Sequence, residues 1–398
     1  MLIERNNPHG GYIDAAGNSD KNDRSSSSTN PAGKLADIHA PDRPLDFSAN
    51  INPLDMPDSV RAALHTAVDE CTGYPDLYCL ALRERIAEAE SVGVDNILCG
   101  NGASELIYSY AFALAGERRA YQCNPTAAVG QRANICKPAP NQCKSALVVS
   151  PTFCEYETAL RAAGIDIERY MLRESDGFRL TDDILSLDFT RCSALFVCSP
   201  NNPTGITVEP RLLYALAERS ERLFCDICFL DLTETPELYD IPRIVRDYSN
   251  VTLLRAFTKS YAMAGVRLGY TLCGDRDFLV EMSRYASCWN VSTLAQTAGI
   301  AALDCDGWLD DSVRYISNER ARLAGELSAL GIKVYPGEAS YLLLYSELPL
   351  AELLRERGII VRDCSNYPGL DGRYLRIAVR TRDENSRLIA AMREIIIG

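Results

Sequence analysis

The stretch SALFVCSPNNPTGITVEPRLLYALAERSER, residues 193–222, decides the fold class. It begins with a short apolar run, turns sharply through two prolines, and continues into an amphipathic helical pattern. The same order recurs where ALVVS (146–150) precedes EYETALRAAG, and the apolar runs LFCDICFLDL and VTLLRAF (251–257) follow. Short apolar runs that alternate with amphipathic helices predict βαβ units. The sequence therefore predicts an α/β fold with a mostly parallel central sheet and helices on both faces.

The pattern of polar and apolar stretches also predicts a domain organisation. Residues 1–45 are rich in Ser, Asn, Asp and Gly toward their end, which predicts an N-terminal arm with a flexible insert. We predict that residues 75–289 form a large domain. Residues 46–74 and 290–398 together would form a smaller α+β domain. A polar, proline-containing stretch at 117–144 predicts a loop inserted into the large domain.

Charge and composition exclude several classes of protein. The net charge of -13 argues against nucleic acid or an anionic membrane surface as a partner. No run approaches eighteen apolar residues, and the first twenty residues lack the apolar core of a secretory signal. Fifteen cysteines, an odd number without a repeated framework, favour reduced thiols and a cytoplasmic location. Cys225 and Cys228 lie in the apolar run LFCDICFL and are interpreted as buried core residues, so no metal site is predicted.

Four segments place chemically useful residues at predicted strand ends, where parallel sheets bind ligands. FTKSYAMAGVRLGY (257–270) puts Lys259 among apolar and aromatic neighbours, which can desolvate an amine so that it acts as a nucleophile. CGNGASELI (99–107) begins a helix with small residues that let backbone N–H groups approach a phosphate. SPNNPTG is a turn, and Asp231 is a carboxylate that needs a cationic partner. Each feature alone is more often an ordinary surface lysine, turn or ion pair, and their combination indicates one site.

With these segments in this order, the chain resembles the fold type I enzymes dependent on pyridoxal 5'-phosphate (PLP), of the class I and II aminotransferase family. The resemblance extends from Leu45 to the C-terminus outside the 117–144 insert. It implies that Lys259 carries PLP as a Schiff base and that Asp231 pairs with the pyridine nitrogen, which makes these two the catalytic residues. The remaining cofactor-binding residues that it implies are Gly102, Ala103, Ser104, Phe153, Asn202, Thr258, Arg267 and Tyr74.

The resemblance also implies a role for each of these cofactor contacts. Arg267 and the residues from 102 to 104 would bind the phosphate, Asn202 would hydrogen-bond the ring hydroxyl, and Phe153 would stack on the ring. Tyr74 in GYPD would reach the phosphate from the other subunit, so a homodimer is expected.

The chain departs from the family pattern at two places. Ala256 stands three residues before the lysine, where the family often has a serine, and Thr258 would partly replace that phosphate ligand. The family often has Asp-Glu-Ala-aromatic where this chain has Asp231 followed by Leu232, Thr233 and Glu234. The aromatic residue that supports the cofactor is therefore unassigned.

The C-terminal stretch GIIVRDCSNYPGLDGRYLRIAVRTRDEN carries two arginines that would bind substrate. Arginine recognises carboxylate and phosphate groups bidentately, so Arg362 and Arg376 fit a substrate with one group at each end. With PHGG (8–11) and DFSANINPLDMP (46–57), this stretch resembles the threonine-phosphate decarboxylases of cobalamin biosynthesis. That resemblance implies Arg376 on the carboxylate, Arg362 on the phosphate, and His9 and Asn52 closing over a small phosphorylated amino acid.

Two alternatives remain open from the sequence. Histidinol-phosphate aminotransferases share the cofactor motifs and both arginines, and nothing in composition or spacing separates the two reactions. The other alternative is a non-catalytic binding protein with the same fold, although the candidate catalytic residues are present.

Overall fold

The computed structural model describes residues 44–122 and 144–398. The strands are β1 (Leu45–Asp46), β2 (Ile97–Gly100), β3 (Ser145–Ser150), β4 (Ile167–Met171), β5 (Cys192–Cys198), β6 (Leu223–Asp226), β7 (Val251–Ala256), β8 (Gly269–Cys273), β9 (Lys333–Val334), β10 (Tyr341–Tyr345), β11 (Ile359–Ile360), β12 (Arg362–Asp363) and β13 (Tyr374–Ala378). The helices are α1 (Asp58–Ala67), α2 (Leu80–Glu90), α3 (Gly102–Gln122), α4 (Glu155–Ala162), α5 (Pro210–Arg219), α6 (Ile241–Asp247), α7 (Phe257–Ser260), α8 (Arg276–Ser283), α9 (Thr293–Leu303), α10 (Trp308–Ala329), α11 (Leu350–Arg355) and α12 (Arg382–Ile397).

A seven-stranded sheet in the order β2-β8-β7-β6-β5-β3-β4 organises the larger part of the fold. The neighbours from β7 to β4 are parallel, and only β8 runs antiparallel to both of its neighbours. The predicted α/β class and mostly parallel sheet are therefore confirmed. Because parallel strands point the same way, β5, β6 and β7 end at one edge of the sheet, which brings their following turns together.

Alternating side chains of the central strands pack against helices on opposite faces of the sheet. Successive residues of a strand point to opposite faces, so a sheet covered on both sides needs continuous apolar runs. Strand β5 is buried along its whole length. Its Leu195 and Val197 belong to one core cluster and its Ala194 and Phe196 to another. This two-sided burial explains why the strand sequences show no polar alternation.

A second, antiparallel sheet follows in the order β12-β13-β10-β9, with α10 and α12 among the elements around its core. The N-terminal strand β1 pairs in parallel with β11. Next to it, the Phe47 N–H donates to the Ile360 carbonyl at 2.7 Å, and the Phe47 carbonyl accepts from the Ala378 N–H at 2.8 Å. Residues near 46 therefore pack with the C-terminal sheet. Such packing is what the prediction of one small domain from residues 46–74 and 290–398 requires. The domain boundaries themselves stay a prediction.

Two element boundaries differ from the sequence prediction. Helix α3 continues to Gln122, into the stretch predicted as an inserted loop, and the rest of that stretch lies outside the described residues up to Lys144. The run LFCDICFLDL was predicted as one strand, but β6 ends at Asp226, whose carboxylate accepts a hydrogen bond from the Cys228 N–H at 2.9 Å. Among the helices of the described residues, none has both the length and the apolar character that crossing a bilayer requires.

Candidate active site

Lys259 lies in the short helix α7, directly after β7 reaches the edge of the sheet. Its Nζ atom is 5.9 Å from the centre of the Phe229 ring. Burial, together with the nearby cations of Arg376 and Arg267, lowers the pKa of Lys259 to about 8, while Asp226 opposes this shift. A lysine with so low a pKa has a substantial neutral fraction near neutral pH, and the neutral amine is the nucleophilic form.

A phosphate-sized cradle forms where β2 turns into α3. Gly102 has φ of 77°, in the left-handed region that favours glycine. A Cβ atom on Gly102 would lie 2.5 Å from an Nη atom of Arg267, so the guanidinium packs against this glycine. The N–H groups of the first helical turn, at Ala103 and Ser104, have no partner within the helix. A cation beside free N–H groups is an arrangement that binds phosphate.

Asp226 supplies a buried carboxylate on the strand that precedes β7 in the sequence. It ends β6, accepts a hydrogen bond from the Tyr156 hydroxyl at 2.5 Å, and interacts electrostatically with Lys259. Burial raises the pKa of Asp226, although Tyr156, Cys228 and Lys259 act in the opposite direction. Such a carboxylate suits a buried cationic partner. The sequence analysis did not propose Asp226, although it is the first acidic residue within the apolar run LFCDICFLDL.

The structure contradicts the prediction that Asp231 is this carboxylate. Asp231 lies beyond the strand in a single 3-10 turn, Leu230–Leu232. Its carboxylate forms an ion pair with Arg255 and accepts a hydrogen bond from the Ser260 hydroxyl at 3.2 Å. It lines a cavity of about 330 Å³ with Glu90 and Arg255, and neither Lys259 nor Arg267 lines that cavity. The prediction is wrong because β6 is shorter than the apolar run.

This shorter strand also identifies the aromatic residue that the sequence analysis left unassigned. When the pattern is counted from Asp226, the fourth residue is Phe229, whose ring faces Lys259 Nζ. The family pattern of an aspartate followed three residues later by an aromatic residue is thus present in this chain as DICF (226–229).

Asn202 and Arg376 meet at the junction of the two sheets. Arg376 is 2% exposed and donates to Asn202 Oδ1 and to the Ser48 carbonyl, each at 2.5 Å. The Tyr367 hydroxyl also lies 3.3 Å from Asn202 Oδ1. These contacts fix the guanidinium at the carboxyl ends of the parallel strands. The structure therefore brings together Asn202, Arg376 and Lys259.

Arg362 faces Arg376 across the antiparallel pair of β12 and β13, where the two residues are direct partners. Side chains opposite each other on neighbouring strands lie on one face of the sheet. Arg362 is buried, donates to the Asp363 carbonyl and to Asn366 Oδ1, each at 2.7 Å, and lies 5.1 Å above the Tyr367 ring. The structure thus places two buried guanidinium groups side by side.

Three further predicted cofactor contacts have definite positions. Phe153 packs edge-on against Tyr156, with ring centres 5.7 Å apart, so it lies beside the Asp226 cluster. Thr258 is buried in α7. Tyr74 is 82% exposed and stacks on Trp289 at 4.6 Å. Among the described residues Tyr74 makes no contact with the cradle, and its role at the other subunit stays a prediction.

The structure contradicts the prediction that Asn52 closes over the substrate. Its Nδ2 donates to the Ser260 carbonyl at 2.8 Å and to the Ser312 hydroxyl at 2.7 Å, and its Oδ1 accepts from the Leu54 N–H. Both amide hydrogens are therefore used within the fold. His9, the other residue predicted to close over the substrate, lies outside the described residues.

Asn50 is a candidate that the sequence analysis missed. It is 2% exposed, and its Oδ1 has no hydrogen-bond partner among the described residues. The chain on one side of it holds Arg376 through the Ser48 carbonyl, and on the other side the Asn52 N–H donates to the Lys259 carbonyl at 3.1 Å. A buried amide without a partner is costly, which favours a bound ligand at this position.

These residues fit PLP by their chemistry. The cradle of glycine, helix N-terminus and arginine suits the phosphate, and the buried Asp226 carboxylate suits a protonated ring nitrogen. Phe153 offers an aromatic face, and Lys259 offers a desolvated amine. Within residues 44–122 and 144–398, no group of three or more His, Cys, Asp or Glu residues could hold a metal ion.

Comparison with known proteins agrees with this chemistry. The family described as aminotransferase class I and II matches residues 42–392. A threonine-phosphate decarboxylase of Salmonella typhimurium is 38% identical over 90% of this chain and 93% of its own length. Histidinol-phosphate aminotransferase 2 of Archaeoglobus fulgidus is 30% identical over 88% of this chain and 93% of its own length. The solved histidinol-phosphate aminotransferase of Clostridium acetobutylicum superposes with a TM-score of 0.76 at 25% identity, over 89% of this chain and 99% of that one.

The match to the family extends over nearly all of the described chain, and the superposition confirms the predicted fold type. The structure brings Lys259, Asn202 and Arg376 together at one edge of the sheet. The chain therefore belongs to the class I and II aminotransferase family and is an enzyme that uses pyridoxal 5'-phosphate.

Proposed function

We propose that this enzyme decarboxylates L-threonine O-3-phosphate to (R)-1-amino-2-propanol O-2-phosphate in cobalamin biosynthesis. One observation carries the proposal: Arg362 and Arg376 are buried side by side in cross-strand register. Two such guanidinium groups suit a small molecule with a carboxylate and a phosphate. The greater identity to the Salmonella threonine-phosphate decarboxylase than to the Archaeoglobus histidinol-phosphate aminotransferase supports the same substrate.

Arg376 would bind the substrate carboxylate. Its guanidinium is held by Asn202 Oδ1 and the Ser48 carbonyl, so its orientation is fixed before the substrate arrives. Each charge-assisted hydrogen bond to the carboxylate would contribute about 1.5–3 kcal/mol. The bond that breaks at the α-carbon depends on orientation, so Arg376 would fix the position of the carboxylate in either reaction, and the relatedness to the Salmonella decarboxylase supports its loss as carbon dioxide.

Arg362 would bind the substrate phosphate. The Asp363 carbonyl and Asn366 hold it from one side, and the Tyr367 ring lies below it. We add Asn50 to the proposed substrate contacts, because its buried amide oxygen lies on the segment between the Arg376 and Lys259 contacts. His9 keeps its predicted role at the substrate as part of this proposal.

The residues of the cradle would hold the cofactor. Arg267 and the N–H groups from Gly102 to Ser104 would bind its phosphate, with Thr258 in support. Phe153 would pack against the ring, and Asn202 would hydrogen-bond the ring hydroxyl. When bound, PLP supplies an electron sink for the electron pair that remains at the α-carbon.

Asp226 and Lys259 would perform the proton chemistry. The buried Asp226 carboxylate would keep the ring nitrogen protonated, which is electrostatic stabilisation built in before the reaction begins. Lys259 would hold the cofactor until the substrate amine replaces it. Its pKa of about 8 then suits a group that returns a proton to the α-carbon near neutral pH.

The proposed enzyme is a cytoplasmic homodimer in which Tyr74 reaches the cofactor phosphate of the other subunit. Tyr74, Leu77, Tyr78 and Trp289 form an exposed apolar patch, of the kind that marks a protein interface. The cysteines of the described residues are free thiols, which suits a reducing compartment.

The test of the function is an assay with threonine phosphate and no 2-oxo acid, in which carbon dioxide and the amino alcohol phosphate are measured. We expect turnover without any amino-group acceptor, because decarboxylation leaves the cofactor as an aldehyde at the end of each cycle. If turnover requires 2-oxoglutarate and yields glutamate without carbon dioxide, the enzyme is an aminotransferase, and histidinol phosphate becomes its substrate candidate.

The two arginines provide a sharper test of the substrate. Arg362→Ala should weaken kcat/KM for threonine phosphate by about 2–4 kcal/mol and scarcely alter the low rate with unphosphorylated threonine. Arg376→Ala should weaken both substrates alike, since both carry a carboxylate. Arg373→Ala serves as the matched control, because Arg373 is exposed just before β13 and pairs with Asp371. Equal losses with both substrates in Arg362→Ala would contradict the phosphate assignment.

A further inference from the structure

Ser260, the residue that follows Lys259, is buried and held by several hydrogen bonds. Ser260 is 1% exposed, and its hydroxyl donates to Asp231 Oδ2 at 3.2 Å. Its carbonyl accepts two hydrogen bonds, from Asn52 Nδ2 at 2.8 Å and from the Trp308 indole at 3.2 Å. Three separate parts of the chain therefore converge on Ser260, one on its hydroxyl and two on its carbonyl.

Asp231 is itself fixed by a buried ionic network. Arg255 bridges the carboxylates of Asp231 and Glu90, and Glu90 also accepts from the Tyr270 hydroxyl. Burial favours loss of the guanidinium charge, but the two carboxylates hold the pKa of Arg255 well above its ordinary value. Arg255 therefore keeps its charge, and the network ties the turn of Asp231 to α2, β7 and β8.

The backbone around α7 needs such support. Ala262 has φ of 53° and Arg267 has φ of 63°, both in the left-handed region that costs a residue with a side chain about 1–2 kcal/mol. Backbone conformations of this kind persist only where the surroundings fix them, and they concentrate at functional sites. The loop from Lys259 to Arg267 is thus strained at two positions, both of which follow Ser260.

We propose that Ser260, Asp231 and Arg255 are positioning residues that fix the Cα atom of Lys259, with Arg255 acting through its ion pair with Asp231. This clamp of Ser260, Asp231 and Arg255 rests on the proposed role of Lys259. Asp231 and Arg255 line a cavity to which Lys259 does not contribute, so the clamp would act on Lys259 through the backbone and not through the cofactor. Its effect is geometric: the Lys259 amine must reach the same atom in every cycle, and a displacement of about 1 Å can cost about a hundredfold in rate.

Positioning explains the network better than stability does. Buried ion pairs contribute little net stability, since the loss of hydration offsets most of the attraction between the charges. A network that spans four elements and ends on the residue beside the nucleophile does more for geometry than for folding. In this proposal Asp231 helps to position Lys259 and does not pair with the pyridine nitrogen of the cofactor.

The test compares Ser260→Ala with Ser109→Ala. Ser260 Oγ contacts Asp231, whereas Ser109 is equally buried and its hydroxyl has no hydrogen-bond partner among the described residues. Both holoenzymes are assayed for kcat and KM, and both proteins are checked for thermal unfolding. The cofactor-free proteins are then acylated with acetic anhydride at a series of pH values. Modification of Lys259 is followed by peptide mass, with the exposed Lys333 as internal reference.

In Ser260→Ala we expect kcat to fall about tenfold, equivalent to about 1.4 kcal/mol, while KM changes less than twofold. We also expect the midpoint of Lys259 acylation to rise above its wild-type value, because a looser backbone lets the ammonium reach water. The charged and titratable groups that face Lys259, namely Asp226, Cys228, Arg267 and Arg376, are unchanged in this variant. Trp308→Phe, which removes another bond to Ser260, should shift the midpoint in the same direction.

Each other outcome has a distinct meaning. If Ser260→Ala and Ser109→Ala share the wild-type kcat and midpoint, the clamp does not position Lys259. If Ser260→Ala lowers the melting temperature but leaves the midpoint unchanged, the contact is structural only and the proposal is overturned. If wild-type Lys259 is acylated no differently from Lys333, the role proposed for Lys259 fails, whatever the clamp does.

Discussion

Replacing Asp226 and Asp231 separately by asparagine distinguishes the carboxylate of the cofactor site from the carboxylate of the clamp. Asp226→Asn removes the buried charge at the end of β6 and keeps the size of the side chain. The lost stabilisation is that of a buried, preorganised charge, about 2.7–4 kcal/mol, so kcat should fall by about 10²–10³. Asp231→Asn leaves an oxygen that can still accept from Ser260, and Arg255 keeps Glu90 as its partner. Its kcat should fall by no more than about tenfold.

The two variants should also differ in a second measurement. Asp226 favours the protonated form of Lys259, so Asp226→Asn should lower the pH midpoint of Lys259 acylation in the cofactor-free protein below about 8. Asp231→Asn should not lower it, because Asp231 does not face that amine. The assay is steady-state release of carbon dioxide from threonine phosphate, with thermal unfolding as the control for folding. A larger loss of kcat in Asp231→Asn than in Asp226→Asn would refute the assignment of Asp226.

Three further predictions concern the cofactor and the subunit interface. Borohydride should attach the cofactor to the peptide that carries Lys259, and labelling of another lysine would contradict this. Binding of the cofactor by the cofactor-free protein should increase with pH through about 8, where the Lys259 amine loses its proton. Gly102→Ala should weaken cofactor affinity by about tenfold, because the new Cβ would displace Arg267 and strain a left-handed residue, and equilibrium dialysis would measure it. Mixing inactive Tyr74→Ala with inactive Lys259→Ala should restore activity through hybrid dimers, and no recovery after verified subunit exchange would count against a shared site.

The sequence was sufficient to predict the sheet and the residues next to its strand ends. Continuous apolar runs on β3, β5 and β7 are what a sheet covered on both faces requires, so they were correctly predicted as parallel strands. Lys259 and Asn202 follow β7 and β5 closely, and a short turn leaves little freedom for where they lie. The structure therefore finds both at the predicted edge of the sheet.

Asp231 was misassigned because hydrophobicity does not show where a strand ends. The run LFCDICFLDL is apolar on both sides of Asp226, and only the hydrogen bond from the Cys228 N–H to its carboxylate reveals the turn. Asn52 was misassigned for a related reason. Its amide is used by Ser260 and Ser312, residues far away in sequence, and no local pattern contains such contacts.

As the proposed ligand of the substrate carboxylate, Arg376 would couple substrate binding to the protonation of Lys259. In the protein without substrate, its positive charge is one of the causes that lower the pKa of Lys259. A substrate carboxylate bound to Arg376 would neutralise that charge, so the pKa of Lys259 would rise when the site fills. The amine would then be nucleophilic while the site is empty and would hold a proton more firmly once the substrate is bound. Once the carboxylate has left as carbon dioxide, the charge of Arg376 would again lower the pKa of Lys259, which favours return of a proton from Lys259 to the α-carbon.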